Sequence, residues 1–149
     1  LFDAVTCFSS FHWFATKTAG AEIKTVLKKE GFIFIINKFE EKDFLYDFEK
    51  IIEQKAGVVL PNPHKDYHPF DFVQSSGFHD IQETLFQAQE QYSLEKALVY
   101  LQSRSYWNLV PKEKQQEVLA ACKKTFQEKY PTKQVLVRDL KIKVVSGRA

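Results

Sequence analysis

The sequence is short of several residue types and patterns, and each shortage excludes a class of function. No apolar run approaches the ~20 residues that a membrane-spanning helix requires. The net charge is only +2, with acids and bases interspersed, so there is no concentrated basic patch for binding nucleic acid. We therefore expect neither a membrane nor a nucleic acid as a partner.

Methionine is absent from all 149 residues, and cysteine occurs only twice. Because translation begins with methionine, we expect the chain to be a trimmed piece of a longer protein. Cys7 and Cys122 lie far apart, the first in a predicted strand and the second on a predicted helix face. Buried free thiols are the expected state, which suits a reducing, cytoplasmic location.

Hydrophobic residues make up 44% of the chain, with 14 Phe and 6 Tyr, which is enough for the core of one domain. Residues 2–8 are predicted to form a short buried strand, and residues 19–29 an amphipathic helix that Gly31 ends. The unbroken apolar run at 32–36 is typical of a strand buried on both faces of a parallel sheet. This strand–helix–strand order predicts an α/β fold with parallel strands. A buried strand so early in the chain also suggests that its neighbours in the sheet are missing.

Beyond residue 36, the spacing of apolar residues predicts three more helices, two more strands and a long loop. The helices are expected at 43–54, with Asp43 as cap, at 93–103 and at 111–129. A half-exposed antiparallel strand is expected at 77–92 and an edge strand at 135–145. A lid-like loop is expected at 61–72. No repeat or domain linker interrupts the chain, so residues 1–149 are predicted to belong to a single domain.

A polar and aromatic corner, Ser9-Ser10-Phe11-His12-Trp13-Phe14, follows the first predicted strand directly. The carboxyl ends of parallel strands are where open α/β sheets place their ligands. The corner is therefore the first candidate site. The alternative is that its aromatic residues pack a helix against the sheet.

Three segments stand in a characteristic order: Phe2-Asp3-Ala4-Val5, then His12-Trp13-Phe14, then the turn Val26-Leu27-Lys28-Lys29-Glu30-Gly31 into Phe32-Ile33. Together they resemble the second half of a class I S-adenosylmethionine-dependent methyltransferase. Two further segments are Ser103-Arg104-Ser105-Tyr106, a Ser-x-Ser-aromatic sequence after a helix, and the late Gly147-Arg148. With these, the chain is similar to the small-molecule branch that includes trans-aconitate methyltransferases.

The resemblance implies a Rossmann-like methyltransferase sheet from its fourth strand onward, with parallel core strands, antiparallel last strands and a helical and loop cap inserted at about 39–76. It also implies S-adenosylmethionine as the cofactor and a small molecule as the methyl acceptor. The glycine-rich turn and the acidic residue with which this family holds the cofactor are absent, and no Gly-x-Gly occurs. Residues 1–149 are therefore expected to be the carboxyl-terminal portion of the domain, without the amino-terminal cofactor-binding half and inactive alone.

The resemblance also implies roles for individual residues of this sequence. Contacts with the cofactor are implied for Phe8, Ser9, Ser10 and Trp13. His12 is the one residue proposed as a general base, although methyl transfer also proceeds by proximity alone. Apart from the resemblance, residue chemistry makes four residues candidates for contacts with the acceptor: Tyr67 on the predicted loop, and Arg104, Tyr106 and Trp107 after the helix at 93–103. For Tyr67 the alternative is simple packing. An arginine suits an acceptor carboxylate, whereas stabilisation of a helix junction is the alternative for the residues at 104–107.

His64, Asp66 and His68 have a spacing that metal ligands can have. Their loop is rich in proline and no fourth ligand stands nearby in the sequence, so a metal is not expected.

The leading expectation is methyl transfer to a small molecule by the full-length protein, and two other functions stay open. One is a non-catalytic binding or dimerisation domain derived from a methyltransferase. The other is a fragment of a nucleic-acid methyltransferase, which the mild net charge disfavours. The Asn/Asp-Pro-Pro-aromatic tetrapeptide of such enzymes is also missing, since Phe8-Ser9-Ser10-Phe11 stands in its place.

Overall fold

A computed structural model describes residues 1–40, 44–61, 67–131 and 135–149 of the chain. The strands are β1 (Phe2–Phe8), β2 (Leu27–Glu40), β3 (His79–Tyr92) and β4 (Leu136–Arg148). The helices are α1 (Lys17–Val26), α2 (Phe44–Ala56), α3 (Pro69–Ser75), α4 (Leu94–Ser103) and α5 (Gln115–Lys129). Short 3₁₀ turns lie at Phe11–Trp13, Ser105–Leu109 and Lys112–Lys114. This mixture of helices with a sheet confirms the predicted α/β class.

The chain divides into two compact units, which are described separately. The first unit comprises Leu1–Phe39, Asn62–Ala88 and Lys141–Ala149, and the second comprises Glu40–Pro61 and Gln89–Leu140. The predicted cap at about 39–76 stays a prediction, and its residues are divided between the two units.

The strand–helix–strand prediction for the first part of the chain is confirmed. β1 pairs with β2 in parallel, from Ala4 opposite Phe32 to Phe8 opposite Ile36. The connecting helix α1 is capped as the hydroxyl residues before it predict, because Thr16 Oγ1 accepts a hydrogen bond of 3.1 Å from a backbone N–H of the first turn. The sheet has the strand order β1-β2-β4-β3.

The predicted end of the first helix is wrong. α1 stops at Val26, and Leu27 already belongs to β2, where it lies opposite Phe2. Leu27 is buried in the core of the first unit, so the chain enters the sheet before the exposed lysines that follow. Gly31 lies inside β2, where an added Cβ would come within 2.9 Å of the Lys28 carbonyl oxygen. The glycine therefore lies where the pairing of β2 with β1 shifts register, between the pairs Phe2–Leu27 and Ala4–Phe32. It does not end a helix.

The prediction that β1 is a buried strand is also wrong. The side chains of Phe2 and Phe8 are 63% and 54% exposed, and Cys7 is the buried residue of the strand. β1 stands at one end of the strand order, so β2 is its one strand neighbour in the described part of the chain. Both cysteines, Cys7 and Cys122, are buried free thiols, as predicted.

The last strand, β4, lies between β2 and β3, so the prediction of an edge strand is wrong. Its charged residues have partners on neighbouring elements: Lys143 Nζ lies 2.9 Å from Glu83 Oε1 and 5.6 Å from the Phe39 ring centroid. Arg148 Nε lies 3.8 Å from Asp80 Oδ2. Because residue numbers rise along β3 as they fall along β4 in these pairs, the two strands are antiparallel, as predicted.

The predicted loop at 61–72 is wrong in part, because Pro69 begins helix α3. Residues 62–66 of that loop, and the predicted cap Asp43, lie outside the described residues. The other predicted helices are confirmed within a few residues; α4 begins at the Ser93 cap, whose Oγ accepts from Lys96 N–H. No helix in the described ranges is both long enough and apolar enough to cross a membrane.

Each unit has its own apolar core. The core of the first unit contains Cys7, Phe11, Leu27, Ile33, Ile35, Val73, Phe78 and Val145. In the second unit, α2 and α5 pack together, and α4 packs on α5. The largest buried side chains there include Phe44, Phe48, Leu101, Tyr106, Trp107 and Phe126.

Candidate functional site

The candidate site begins where β1 ends and the chain turns into the corner. The Ser9 N–H donates a 2.8 Å hydrogen bond to the Ile36 carbonyl oxygen, which makes the last link between the two parallel strands. Ser9 itself has φ +45°, a left-handed conformation that is uncommon outside glycine. This turn directs Ser10 and the 3₁₀ turn Phe11–Trp13 away from the strand, at the carboxyl edge of the β1–β2 pair.

Phe11 fixes the corner to the first unit. Its side chain is fully buried, and its ring centroid lies 5.0 Å from that of Phe14 and 4.6 Å from that of Phe72, both in edge-on geometry. Trp13, two residues further on, is 63% exposed. The corner therefore combines both expected roles, because one aromatic residue packs the core while the next presents its ring to solvent.

His12 and Trp13, two of the predicted site residues, lie together with a third, Tyr67, that comes from much later in the chain. The His12 ring centroid is 4.9 Å from Trp13 and 6.0 Å from Tyr67. Burial raises the pKa of the Tyr67 phenol to about 12, against a smaller lowering by the side chain of Asn37. The phenol therefore stays protonated to a higher pH than an exposed tyrosine does.

Asn37 belongs to this site, although the sequence analysis did not single it out. It follows the apolar run in β2, and its side chain is buried on the same alternating row as Ile33 and Ile35. The available signal was a lone amide directly after an apolar strand, at the end where parallel sheets bind ligands. The described polar groups at this edge are thus His12, Tyr67 and Asn37, with Ser9 and Ser10 on the turn.

The other predicted acceptor residues lie in the second unit. Arg104 Nη1 donates to the Tyr100 hydroxyl at 3.3 Å, and the guanidinium lies 5.3 Å from the Tyr106 ring centroid. Tyr106 and Trp107 are buried in the core of that unit, and burial raises the pKa of the Tyr106 phenol. Their burial favours the alternative of packing at the helix junction, whereas Arg104 is partly exposed.

The described residues hold no group of three His, Cys, Asp or Glu side chains arranged to bind a metal ion. Of the spaced residues that the sequence analysis considered, His64 and Asp66 lie outside the described ranges.

Comparison with known proteins gives matches to methyltransferases. Residues 1–35 match the profile of the methyltransferase domain family. An uncharacterized methyltransferase of Schizosaccharomyces pombe is 30% identical over 120 residues, which are 79% of this chain and 47% of that protein. Over these residues the chain is similar in sequence to methyltransferases. It spans about half the length of the curated relative that it matches.

Solved structures agree on the fold. A protein assigned as a type II methyltransferase from Anaeromyxobacter dehalogenans superposes with a TM-score of 0.62 at 14% identity, covering 97% of this chain and 63% of that one. A protein assigned as a methyltransferase of an antibiotic pathway from Anabaena variabilis gives a TM-score of 0.54 at 13% identity, covering 95% and 65%. At such low identity these likenesses show a Rossmann-like methyltransferase fold and nothing finer.

Proposed function

We propose that this chain is the carboxyl-terminal, acceptor-side portion of a methyltransferase that uses S-adenosylmethionine to methylate a small molecule in the cytoplasm. The observation that carries the proposal is the corner at the carboxyl edge of β1 and β2, where His12, Trp13 and Tyr67 come together. The match of the first 35 residues to the methyltransferase family covers this corner. Relatedness to trans-aconitate methyltransferases is a finer part of the same proposal.

The exposed residues of the corner fit one side of the proposed cofactor. S-Adenosylmethionine carries a sulfonium cation, and cations are attracted to aromatic faces. Phe8 and Trp13 present exposed rings at this edge, and Ser9 and Ser10 add hydroxyl oxygens. The glycine-rich turn and the ribose-binding acid of the family are absent from the 149 residues. Binding of the whole cofactor would therefore depend on a further part of the full-length protein.

When bound, the cofactor supplies an activated methyl group for an in-line displacement. The part of this chain in that chemistry would be to position the acceptor, exclude water and, where the acceptor carries a proton, to receive it. His12 is the proposed base, because imidazole titrates near neutral pH. Tyr67 is the proposed acceptor-side polar group, because its ring lies next to that of His12.

The acceptor contacts predicted for Arg104, Tyr106 and Trp107 remain a separate proposal about the second unit. Arg104 is the favoured member of this group, because the residue is partly exposed and a guanidinium is suited to a carboxylate. A non-catalytic binding or dimerisation domain is the alternative function, and it predicts no methyl transfer by the full-length protein.

Calorimetric titration with S-adenosylmethionine tests the proposal. We expect the full-length protein to bind the cofactor and the 149-residue chain to bind it poorly or not at all. In the full-length protein, Trp13→Ala should weaken binding by about 2- to 30-fold, the value of a cation–π contact of ~0.5–2 kcal/mol. Val99→Ala removes an apolar side chain that is exposed on α4 in the second unit and serves as the matched control.

Equal affinity of the short chain and the full-length protein would refute this account of the missing contacts. Absence of binding to the full-length protein would favour the non-catalytic alternative.

A further inference from the structure

The side chain of Asn37 continues the row of alternate buried side chains in β2 that Ile33 and Ile35 begin. In β2, alternate side chains point to the core of the first unit, so Ile33, Ile35 and Asn37 share one face. Asn37 is only 2% exposed, which is as buried as the isoleucines before it. The β1–β2 pairing ends at the preceding residue, Ile36, so the amide lies at the carboxyl edge of the two parallel strands.

The hydrogen-bonding capacity of this amide is largely unused. In the part of the chain that the structure describes, neither Nδ2 nor Oδ1 of Asn37 has a hydrogen-bond partner of ordinary length and angle. The Tyr67 phenol is near enough for the amide to affect its pKa. An amide has two donors and two acceptor lone pairs, so this one neighbour leaves most of the capacity unused. Buried polar groups are nearly always paired, and an exception calls for an explanation.

We propose that the buried amide of Asn37, beside the Tyr67 hydroxyl, is a ligand-binding group that hydrogen-bonds a neutral oxygen, hydroxyl or carbonyl, of the methyl acceptor. The inference deepens the proposed function and rests on it for the word acceptor. The His12 ring lies near this pair, with its centroid 6.0 Å from that of Tyr67.

The oxygen is assigned as neutral because both groups that meet it are neutral. A carboxylate or an ammonium ion buried against an amide and a phenol would lose its hydration without gaining a counter-charge. A hydroxyl or carbonyl has a much smaller desolvation cost, and the two N–H donors of the Asn37 amide are enough to satisfy it. The amide can also accept the proton of a hydroxyl through Oδ1, which suits an alcohol or phenol.

Replacement of the amide by an apolar group of similar shape separates a ligand-binding role from a structural one. In the full-length protein without ligand, Asn37→Leu should raise the melting temperature by roughly 2–4 °C, because it extends the row of Ile33 and Ile35 and removes an underused polar group. Asn108→Leu makes the same chemical change at an exposed position of the second unit and should leave the melting temperature unchanged. A fall in melting temperature or failure to fold for Asn37→Leu would overturn the proposal.

Small aromatic probes test the ligand class. Phenol, toluene and benzoate share a ring and differ at one substituent, and each is titrated into the full-length protein by calorimetry. We expect phenol to bind at least about 10-fold more tightly than toluene or benzoate, and Asn37→Leu to remove that preference. Equal binding of phenol and toluene, or a preference that survives in the variant, would mean that the amide holds only water. Tighter binding of benzoate than of phenol would overturn the neutral-oxygen assignment.

The cofactor titration separates this inference from the proposed function. Asn37→Leu should leave the affinity for S-adenosylmethionine unchanged, and a loss would assign the amide to the cofactor and overturn its role toward the acceptor. If the unmodified full-length protein does not bind S-adenosylmethionine, the proposed function fails, while the melting temperatures and the phenol titration still decide whether Asn37 binds a ligand.

Discussion

Removal of the Glu90 carboxylate should destabilise the second unit far more than removal of the arginine that it pairs with. Arg138 Nη1 lies 3.2 Å from Glu90 Oε2, and the two side chains are 0% and 27% exposed. The Arg138 guanidinium also lies 5.2 Å from the Tyr100 ring centroid. Burial lowers the pKa of Arg138 to about 10, so its charged form is less favoured in the folded protein than in water. The two single variants therefore leave very different groups behind.

Glu90→Ala leaves a buried cation without this carboxylate, a change that costs about 3–5 kcal/mol in buried pairs. Arg138→Met keeps most of the apolar volume and leaves Glu90, which reaches solvent and accepts a 2.7 Å hydrogen bond from the Tyr92 hydroxyl. We expect that variant to lose no more than about 1–2 kcal/mol. With an m-value of ~2 kcal/mol/M, Glu90→Ala should lower the urea midpoint by roughly 2 M and Arg138→Met by less than about 1 M.

Urea unfolding followed by tryptophan fluorescence measures this difference, because Trp107 is buried in the second unit whereas Trp13 is exposed in the first. The double variant Glu90→Ala/Arg138→Met should be more stable than Glu90→Ala alone, since it no longer buries the guanidinium that has lost the Glu90 carboxylate. A double variant that is less stable than either single one, or an Arg138→Met loss as large as that of Glu90→Ala, would refute the reasoning.

Two further predictions concern the first unit. Gly20→Ala should cost about 1–2 kcal/mol despite a better helix propensity, because the new methyl carbon would come within 2.8 Å of Ser76 Cβ. In a thermal unfolding assay, adding Ser76→Gly to this variant should restore much of the lost stability. A Gly20→Ala variant that is more stable than the unmodified protein would contradict this packing. Tyr67, whose pKa is raised from 10.0 to about 12, should contribute stability below pH 10 that is lost as the pH rises toward 12. In a phenolate titration by absorbance, the difference between the unmodified protein and Tyr67→Phe should show its step near pH 12, and a step near pH 10 would show that the phenol is not buried.

The parts of the fold that the sequence predicted correctly are those with a strong local signal. The apolar run at 32–36 and the amphipathic spacing of the first helix are enough to predict a parallel crossover. The errors occurred where pairing with another element decides the outcome. Leu27 extends a helical pattern, but its burial opposite Phe2 draws it into β2. Lys143 looked like a solvent-facing edge residue, and its carboxylate partner Glu83 comes from a strand sixty residues earlier.

In the candidate site, too, the residues with a local sequence signal could be predicted and the others could not. The corner could be predicted because its residues follow one another directly after a strand, and strand ends are the usual ligand edge of an α/β sheet. The approach of Tyr67 to His12 could not be predicted, since 55 positions separate them and no local pattern links them. Asn37 was overlooked because one amide after an apolar run has no sequence signature, and its burial is a property of the folded row.

His12 and Asn37 lie at one edge of the sheet because of the direction of the strands. In a parallel pair, both carboxyl ends lie at one edge, so a turn leaving β1 and an alternate residue near the end of the β1–β2 pairing come together there. The antiparallel strands β3 and β4 do not bring their carboxyl ends to a common edge. Polar side chains at the parallel edge are held by the core beneath them, as Phe11 holds His12 and the row of isoleucines holds Asn37. The apolar core stabilises such a site, and the hydrogen-bonding groups of the Asn37 amide are left for a ligand. We therefore expect Asn37→Leu to raise the stability of the protein and to abolish ligand binding at the same time.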